Sequence, residues 1–265
     1  MTILSRGLFF VLALPLAAGA AVSTVHKDFS ADGITQLSAR SVDGYISVSA
    51  GAAGTIGADM TYDEENCLVT AETRGKTVYL EAKEKKRWHL FSVSSKDKPC
   101  AKFEIKTPPG TDVDAVTVSG DIKVQGVNGA VSGETVSGDA AVSGASGLSL
   151  TTVSGGVKFS SVTGKIHLKT TSGDISGGLS ASEDVDARTV SGGVTLAVSK
   201  PAAKGVFELR TVSGDVELDF PKGAKANTTF HSISGGQKNN IVNDPAAGLI
   251  INVKTTSGGL TLNGK

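Results

Sequence analysis

Thr117-Val-Ser-Gly-Asp121 is followed eighteen residues later by Thr135-Val-Ser-Gly-Asp139, and the phrase keeps returning. It reads TVSGG at Thr152–Gly156, TTSGD at Thr170–Asp174, TVSGG at Thr189–Gly193 and TVSGD at Thr211–Asp215. SISGG at Ser232–Gly236 and TTSGG at Thr255–Gly259 complete eight copies, and a looser one, Ser41-Val-Asp-Gly-Tyr45, stands apart near the start. Counted from Ser to Ser, the spacings are 18, 17, 18, 19, 22, 21 and 23 residues. A nearly constant spacing of this size is the signature of a stacked array, and it outranks any local motif.

The residues around each Ser say what is stacked. Six places before it stand Val113, Val131, Leu148, Ile166, Val185, Phe207, Thr228 and Ile251; four before stand Ala115, Gly133, Leu150, Leu168, Ala187, Leu209, Phe230 and Val253. Three after come Ile122, Ala140, Val157, Ile175, Val194, Val216, Gln237 and Leu260, and five after come Val124, Val142, Phe159, Gly177, Leu196, Leu218, Asn239 and Leu262. Polar residues fill most places between, which is period-two alternation and therefore strand. Each repeat holds two short strands bent at Ser-Gly, with too little apolar surface to fold alone. Stacking at about 4.8 Å buries a continuous core, so eight coils make a rod of about 35–40 Å.

The expected fold is all-β: a single-stranded parallel β-helix of about eight coils over 111–265, right-handed, with a β-rich cap over 21–110. The cap carries strand-like runs at Thr77–Lys83 and Lys102–Thr107, and Pro108-Pro109-Gly110 marks the boundary. Parity places the Thr and Ser of each phrase inward, as hydroxyl ladders bonding to one another or to backbone. It places the Val between them outward. At the C-terminus, Leu260-Thr-Leu262 runs into the chain end with no visible cap, and this open edge is a candidate for oligomerisation.

Residues 1–20 read as a secretory signal peptide. Arg6 is the positive n-region, Gly7 to Leu16 the apolar run and Ala18-Gly19-Ala20 the cleavage chemistry. That run is too short to span a membrane, and no second one follows, so an exported protein of the periplasm, cell surface or extracellular space is expected. Cys67 and Cys100 then suit one disulfide. Twenty-six basic and 26 acidic residues cancel, which argues against nucleic acid as partner. With 33 Gly but nine Phe and one Trp, the composition suits strands and tight turns better than an aromatic-filled sandwich.

The T-V-S-G-D/G phrase, Pro-Pro-Gly-Thr at 108–111 and the leader resemble a widespread bacterial family of adhesin-like domains of unknown function. The resemblance covers roughly residues 30–264. It implies a parallel β-helix and export, and transfers no catalytic residue.

His26, His89, His167 and His231 have no metal-ligand spacing and accompany no nucleophile turn, so no catalytic residue, metal or cofactor is expected. Asp121, Asp139, Asp174 and Asp215 recur after Ser-Gly; a turn role, bonding their own backbone, is preferred over calcium binding or acid–base chemistry. The cluster Lys83–His89, with the only Trp, reads as a solvated hairpin or a surface binding loop. Three places before the Ser, facing outward, stand Lys169, Arg188, Arg210, His231 and Lys254. They form a basic stripe across five successive coils, suited to an anionic glycan or envelope polymer. Asp186 and Glu208, two residues before the arginines, are placed to offset it. The resulting expectation is an exported, non-catalytic binding or scaffold module. The alternatives are a polysaccharide-active enzyme and a structural or oligomerising envelope protein, possible partners being a glycan, an envelope component or another protein.

Overall fold

The computed structural model describes residues 22–85, 99–180 and 184–265. Residues 1–20, expected as a signal peptide, and Lys86, Arg87, Trp88 and His89 of the Lys83–His89 cluster lie outside them. The first part of the chain supplies β1 (Val22–Ser30), β2 (Gln36–Asp43), β3 (Ile46–Ala50), β4 (Thr55–Asp63), β5 (Cys67–Arg74), β6 (Thr77–Glu84) and β7 (Ala101–Thr107). The repeats then supply strands in pairs. These are β8 (Asp112–Ser119) with β9 (Ile122–Gln125), β10 (Ala130–Ser137) with β11 (Ala140–Ala145), and β12 (Gly147–Ser154) with β13 (Val157–Val162). Next come β14 (Ile166–Lys169) with β15 (Ile175–Ser180), β16 (Asp184–Arg188) with β17 (Val194–Lys200), and β18 (Gly205–Arg210) with β19 (Val216–Phe220). The last are β20 (Lys225–Ser234), β21 (Gln237–Asn239) and β22 (Val242–Asn243), then β23 (Leu249–Ser257) and β24 (Leu260–Gly264). All described regular structure is strand, arranged in long parallel sheets.

The two members of each pair join different sheets. The strand after Ser-Gly enters sheet I, ordered β1-β4-β7-β3-β9-β11-β13-β15-β17-β19-β24-β21. The strand before it enters sheet II, ordered β22-β20-β23-β18-β16-β14-β12-β10-β8-β2-β6-β5. Residues 21–110, expected as a cap, supply β1–β7. Of these, β2, β3, β6 and β7 extend the parallel stack, while antiparallel pairing is confined to contacts of β1, β4 and β5. Ser41 pairs with Thr117 and Asp43 with Ser119, so the looser Ser41–Tyr45 phrase sits in register with Thr117–Asp121. Cys67 and Cys100 are joined as a disulfide, as expected.

The core is the inward rows of both sheets: Val113, Val131, Leu148, Ile166, Val185 and Phe207 from sheet II, for example, are all buried. Two apparent lapses in the pattern are filled by neighbours. A Cβ on Gly133 would lie 2.7 Å from Leu150 Cδ2, and one on Gly177 would lie 2.4 Å from the Phe159 ring. A large side chain on one rung thus occupies the space left empty on the next, which keeps the interior close-packed.

Thr, Gly and Asp of the phrase each have a role across rungs, whereas the Ser, expected inward with the Thr, is exposed in all eight copies from Ser119 to Ser257, because the chain bends there and strand parity ends. The buried Thr donates to the carbonyl of the Gly on the preceding rung: Thr135 Oγ1 to Gly120 O at 3.0 Å, Thr170 to Gly155 at 3.2 Å and Thr211 to Gly192 at 3.1 Å. It satisfies an acceptor that the bend turns away from the sheet ladder. The Gly is required by close approach, since a Cβ on Gly138, Gly155, Gly173, Gly192 or Gly214 would fall within 2.0–2.1 Å of a carbonyl oxygen on the neighbouring rung. The Asp does not bond its own backbone, contrary to the turn reading. Asp139 Oδ1 accepts the N–H of Gly156 at 2.7 Å, Asp174 that of Gly193 at 2.8 Å and Asp215 that of Gly259 at 2.7 Å. These carboxylates tether one rung to the next.

The C-terminal end corrects the sequence reading. β24 is not an edge strand; it lies between β19 and β21, while β23 lies between β18 and β20. The chain skips one place, lays down β20–β22 as the outermost layer, and returns to fill the gap. The reason is visible in the core rows. Gln237 pairs with Leu260 and Asn239 with Leu262. Stacked in chain order, these two polar side chains would be sandwiched between the Val216/Leu218 and Leu260/Leu262 rungs. Stacked as found, both are exposed at the end. The returning strands are locked by Asn252 to Glu208 at 2.6 Å, Asn263 to Glu217 and Asp219 at 2.9 Å each, and Lys265 to Asp219 at 2.6 Å. The free edge therefore belongs to β20–β22 and carries Gln237 and Asn239 where the inner rungs carry apolar core residues.

Candidate functional site: the outer face of sheet II

Alternation in sheet II sends every second side chain outward, and parallel registry aligns equivalent residues into rows. Lys169 pairs with Arg188, Arg188 with Arg210, Arg210 with Lys254, and Lys254 with His231. The basic stripe is one unbroken row, with its last two members in the reverse of chain order because of the returning strands. All five side chains are exposed.

The charges in the row are not equivalent. Arg188 donates from Nε and Nη2 to the two oxygens of Asp186, at 2.8 and 2.7 Å, and His167 Nδ1 lies 3.3 Å from the same carboxylate. Its hydrogen bond to Asp186 raises the guanidinium pKa further above its ordinary value. Arg210 Nη2 sits 3.5 Å from Glu208. Among the described residues, no carboxylate stands within ion-pairing distance of Lys169, Lys254 or His231. The free positive charge therefore resides at the two ends of the row rather than at its centre.

At the C-terminal end, Arg210, Lys254 and His231 line one hollow of about 320 Å³ with Glu208, Thr229 and Asn252. Lys169 lies outside it. Sequence reasoning missed a larger feature, an open groove of about 960 Å³ on the same face. Its floor is Ala130, Ser132, Gly147 and Ser149, with Asp114 toward one end and His167 and Asp186 toward the other. The signal was present as small residues at outward places in two successive repeats. The carboxylates lining it are tied up: Asp112 accepts the Ala130 N–H at 2.8 Å, Asp114 takes Ser38 and Arg40 at 3.2 Å each, and Asp184 takes the Val206 N–H at 3.3 Å.

Beside the basic row, next to the bend, runs the row of Val residues expected to face outward. Val118, Val136, Val153, Val190 and Val212 are 44–48% exposed and Ile233 is 85% exposed, with Val42 at one end and Thr171 and Thr256 interspersed. His26 belongs to neither row; it sits in sheet I, its Nδ1 2.7 Å from Asp59 and its Nε2 3.1 Å from Asp28. Among the described residues, no group of three or more His, Cys, Asp or Glu is arranged to hold a metal ion, and no helix is long and apolar enough to cross a membrane.

Solved structures resemble the chain at low identity. A "putative cell adhesion protein" from Clostridium sporogenes is 12% identical, with a TM-score of 0.33, covering 92% of this chain and 100% of that one. "Putative adhesin" structures from Parabacteroides distasonis and Bacteroides fragilis are 10% and 14% identical, with TM-scores of 0.40 and 0.37. They cover 91% and 92% of this chain and 98% of each of those chains. Likeness of that degree assigns no ligand. No curated protein matches. The sequence pattern of one family, however, spans residues 34–263, nearly the whole described chain, and the protein belongs to that family, Toastrack DUF4097.

Proposed function

We propose that this protein is an exported, non-catalytic binding module that lays an anionic glycan or envelope polymer along the outer face of sheet II. The observation that carries this reading is the hollow where Arg210, Lys254 and His231 converge, continuous in row with Arg188 and Lys169. A linear row of donors suits a linear acceptor. The tethered carboxylates support a non-catalytic role, because acid–base hydrolysis asks for two carboxyl groups free to exchange protons across a bond. In the same reading, residues 1–20 are a signal peptide, residues 21–110 cap the stack and residues 111–265 form a right-handed solenoid of eight repeat coils. The Cys67–Cys100 disulfide supports residence in an oxidising compartment, periplasmic or at the cell surface.

The test is binding of the mature protein to acidic and neutral polysaccharides at two salt concentrations, with a Lys254→Glu/His231→Glu variant alongside. Binding to acidic chains that weakens with salt and is lost in the variant is the expected result. Equal binding to neutral chains, or binding unchanged by the variant, overturns it. Falling viscosity of an acidic polysaccharide with time would favour the hydrolytic alternative instead.

A further inference from the structure

The valine row has no task inside the fold. The cross-rung bonds are made by the Thr before it and by the backbone and Asp after it. Strand propensity alone is met equally well by Thr, as Thr171 and Thr256 show at the same position. Yet from Val42 to Ile233 the row is otherwise apolar and β-branched, in register, exposed and about 38 Å long at the strand spacing of about 4.8 Å. Contiguous exposed apolar surface of this kind marks an interaction site.

We propose that two copies of this chain pair side by side along this row, with a two-fold axis parallel to the stack. The period selects the partner. Methyl groups repeating at one strand spacing interdigitate over their full length only with another ladder of the same period, and a second copy supplies one. The charges select the direction. The basic row lies on one side of the ladder, two residues from it, and the column of Asp121, Asp139, Asp174 and Asp215 on the other, three residues from it. A two-fold axis along the stack sets Lys169 opposite the second copy's Asp174, and Arg210 opposite its Asp215, twice over by symmetry. Glu134 opposite Asp139 is the one like-charged match. The antiparallel alternative sets Lys169 against Lys169, Asp174 against Asp174 and Asp139 against Asp215.

The experiment is sedimentation velocity over a concentration series, with Val153→Asp/Val190→Asp and with single cysteines at Val118, Val212 or Thr171. The expected results are a reversible dimer for the native sequence, a monomer with an unchanged thermal melt for the double Asp variant, and covalent dimers on mild oxidation from both V118C and V212C. In the parallel pairing each of those residues meets its own copy. A native protein monomeric at every concentration overturns the pairing, and a dimer that cross-links only through T171C overturns its direction. Polysaccharide binding is scored separately on the double Asp variant, so failure of the pairing and failure of the proposed function are distinguishable.

Discussion

Gly173 O receives the hydroxyl of Thr189 at 3.1 Å, and a Cβ on Gly192 would stand 2.1 Å from the same oxygen. One carbonyl thus dictates two letters of the phrase on the next rung. Gly192→Ala is expected to cost about 3 kcal/mol or more, because the atom it meets is backbone and has nowhere to go. Gly178→Ala, where a Cβ meets nothing within 4 Å, is the control and is expected to change stability by less than about 0.5 kcal/mol. Urea denaturation of both variants decides it.

The tethering Asp residues make a second prediction. Asp174→Ala removes the acceptor for the Gly193 N–H and is expected to cost about 1–2 kcal/mol, while Asp174→Asn keeps an acceptor oxygen and retains most of the stability. Added calcium is expected to raise the melting temperature of neither the native protein nor the variants. A calcium-dependent rise would restore the ligand reading of these carboxylates.

Within the basic row, charge removal is expected to be unequal. Lys169→Gln/Lys254→Gln removes unpaired cations and should weaken binding to an acidic polysaccharide more than tenfold, whereas Arg188→Gln/Arg210→Gln removes cations already paired with Asp186 and Glu208 and should weaken it less than tenfold. Titration calorimetry at low salt separates the two.

Protonation of His26 clips β1 to β4. The Asp59 carboxylate, bonded to the ring, and Asp28 beside it raise the imidazole pKa above its ordinary value. A raised folded value means that the contribution is full below about pH 6.5 and is lost as pH rises through the folded value. Hydrogen exchange of the β1 amides, corrected for intrinsic rate, should quicken from about pH 6 to about pH 9 in the native protein but not in His26→Gln.

The polar outer layer makes the last prediction. Gln237→Val/Asn239→Leu completes the apolar rows of the outermost strands and leaves a regular edge for further strands to join. The variant is expected to form larger species in sedimentation while the native protein does not exceed a dimer.

Much of this fold was legible because parity within a strand is strict. Leu148, Leu150, Val157 and Phe159 announce their inward direction by position alone, and so do Lys169 and Arg188 on the other side. The order of the rungs was not legible, because spacing along a chain carries no statement of which rung lies beside which. Gln237 and Asn239 held the clue, since two polar side chains at core positions ask for the end of the stack. The partners of Asp139 and Asp174 were misread because a carboxylate at a bend reaches its own backbone and the neighbouring rung about equally well. The groove over Ser132 and Ser149 escaped because it is made by what those residues lack.

The returning strands also constrain the order of assembly. Residues 225–239 are synthesised before 249–264, yet the later segment supplies the only surface on which most of the earlier one can rest. In the native order the outermost layer is joined to the rest of the stack through the last strands, so β23 and β24 act as a keystone. A chain cut short after residue 248 would lose more than the strands deleted, because the layer already made would have nothing to stand on.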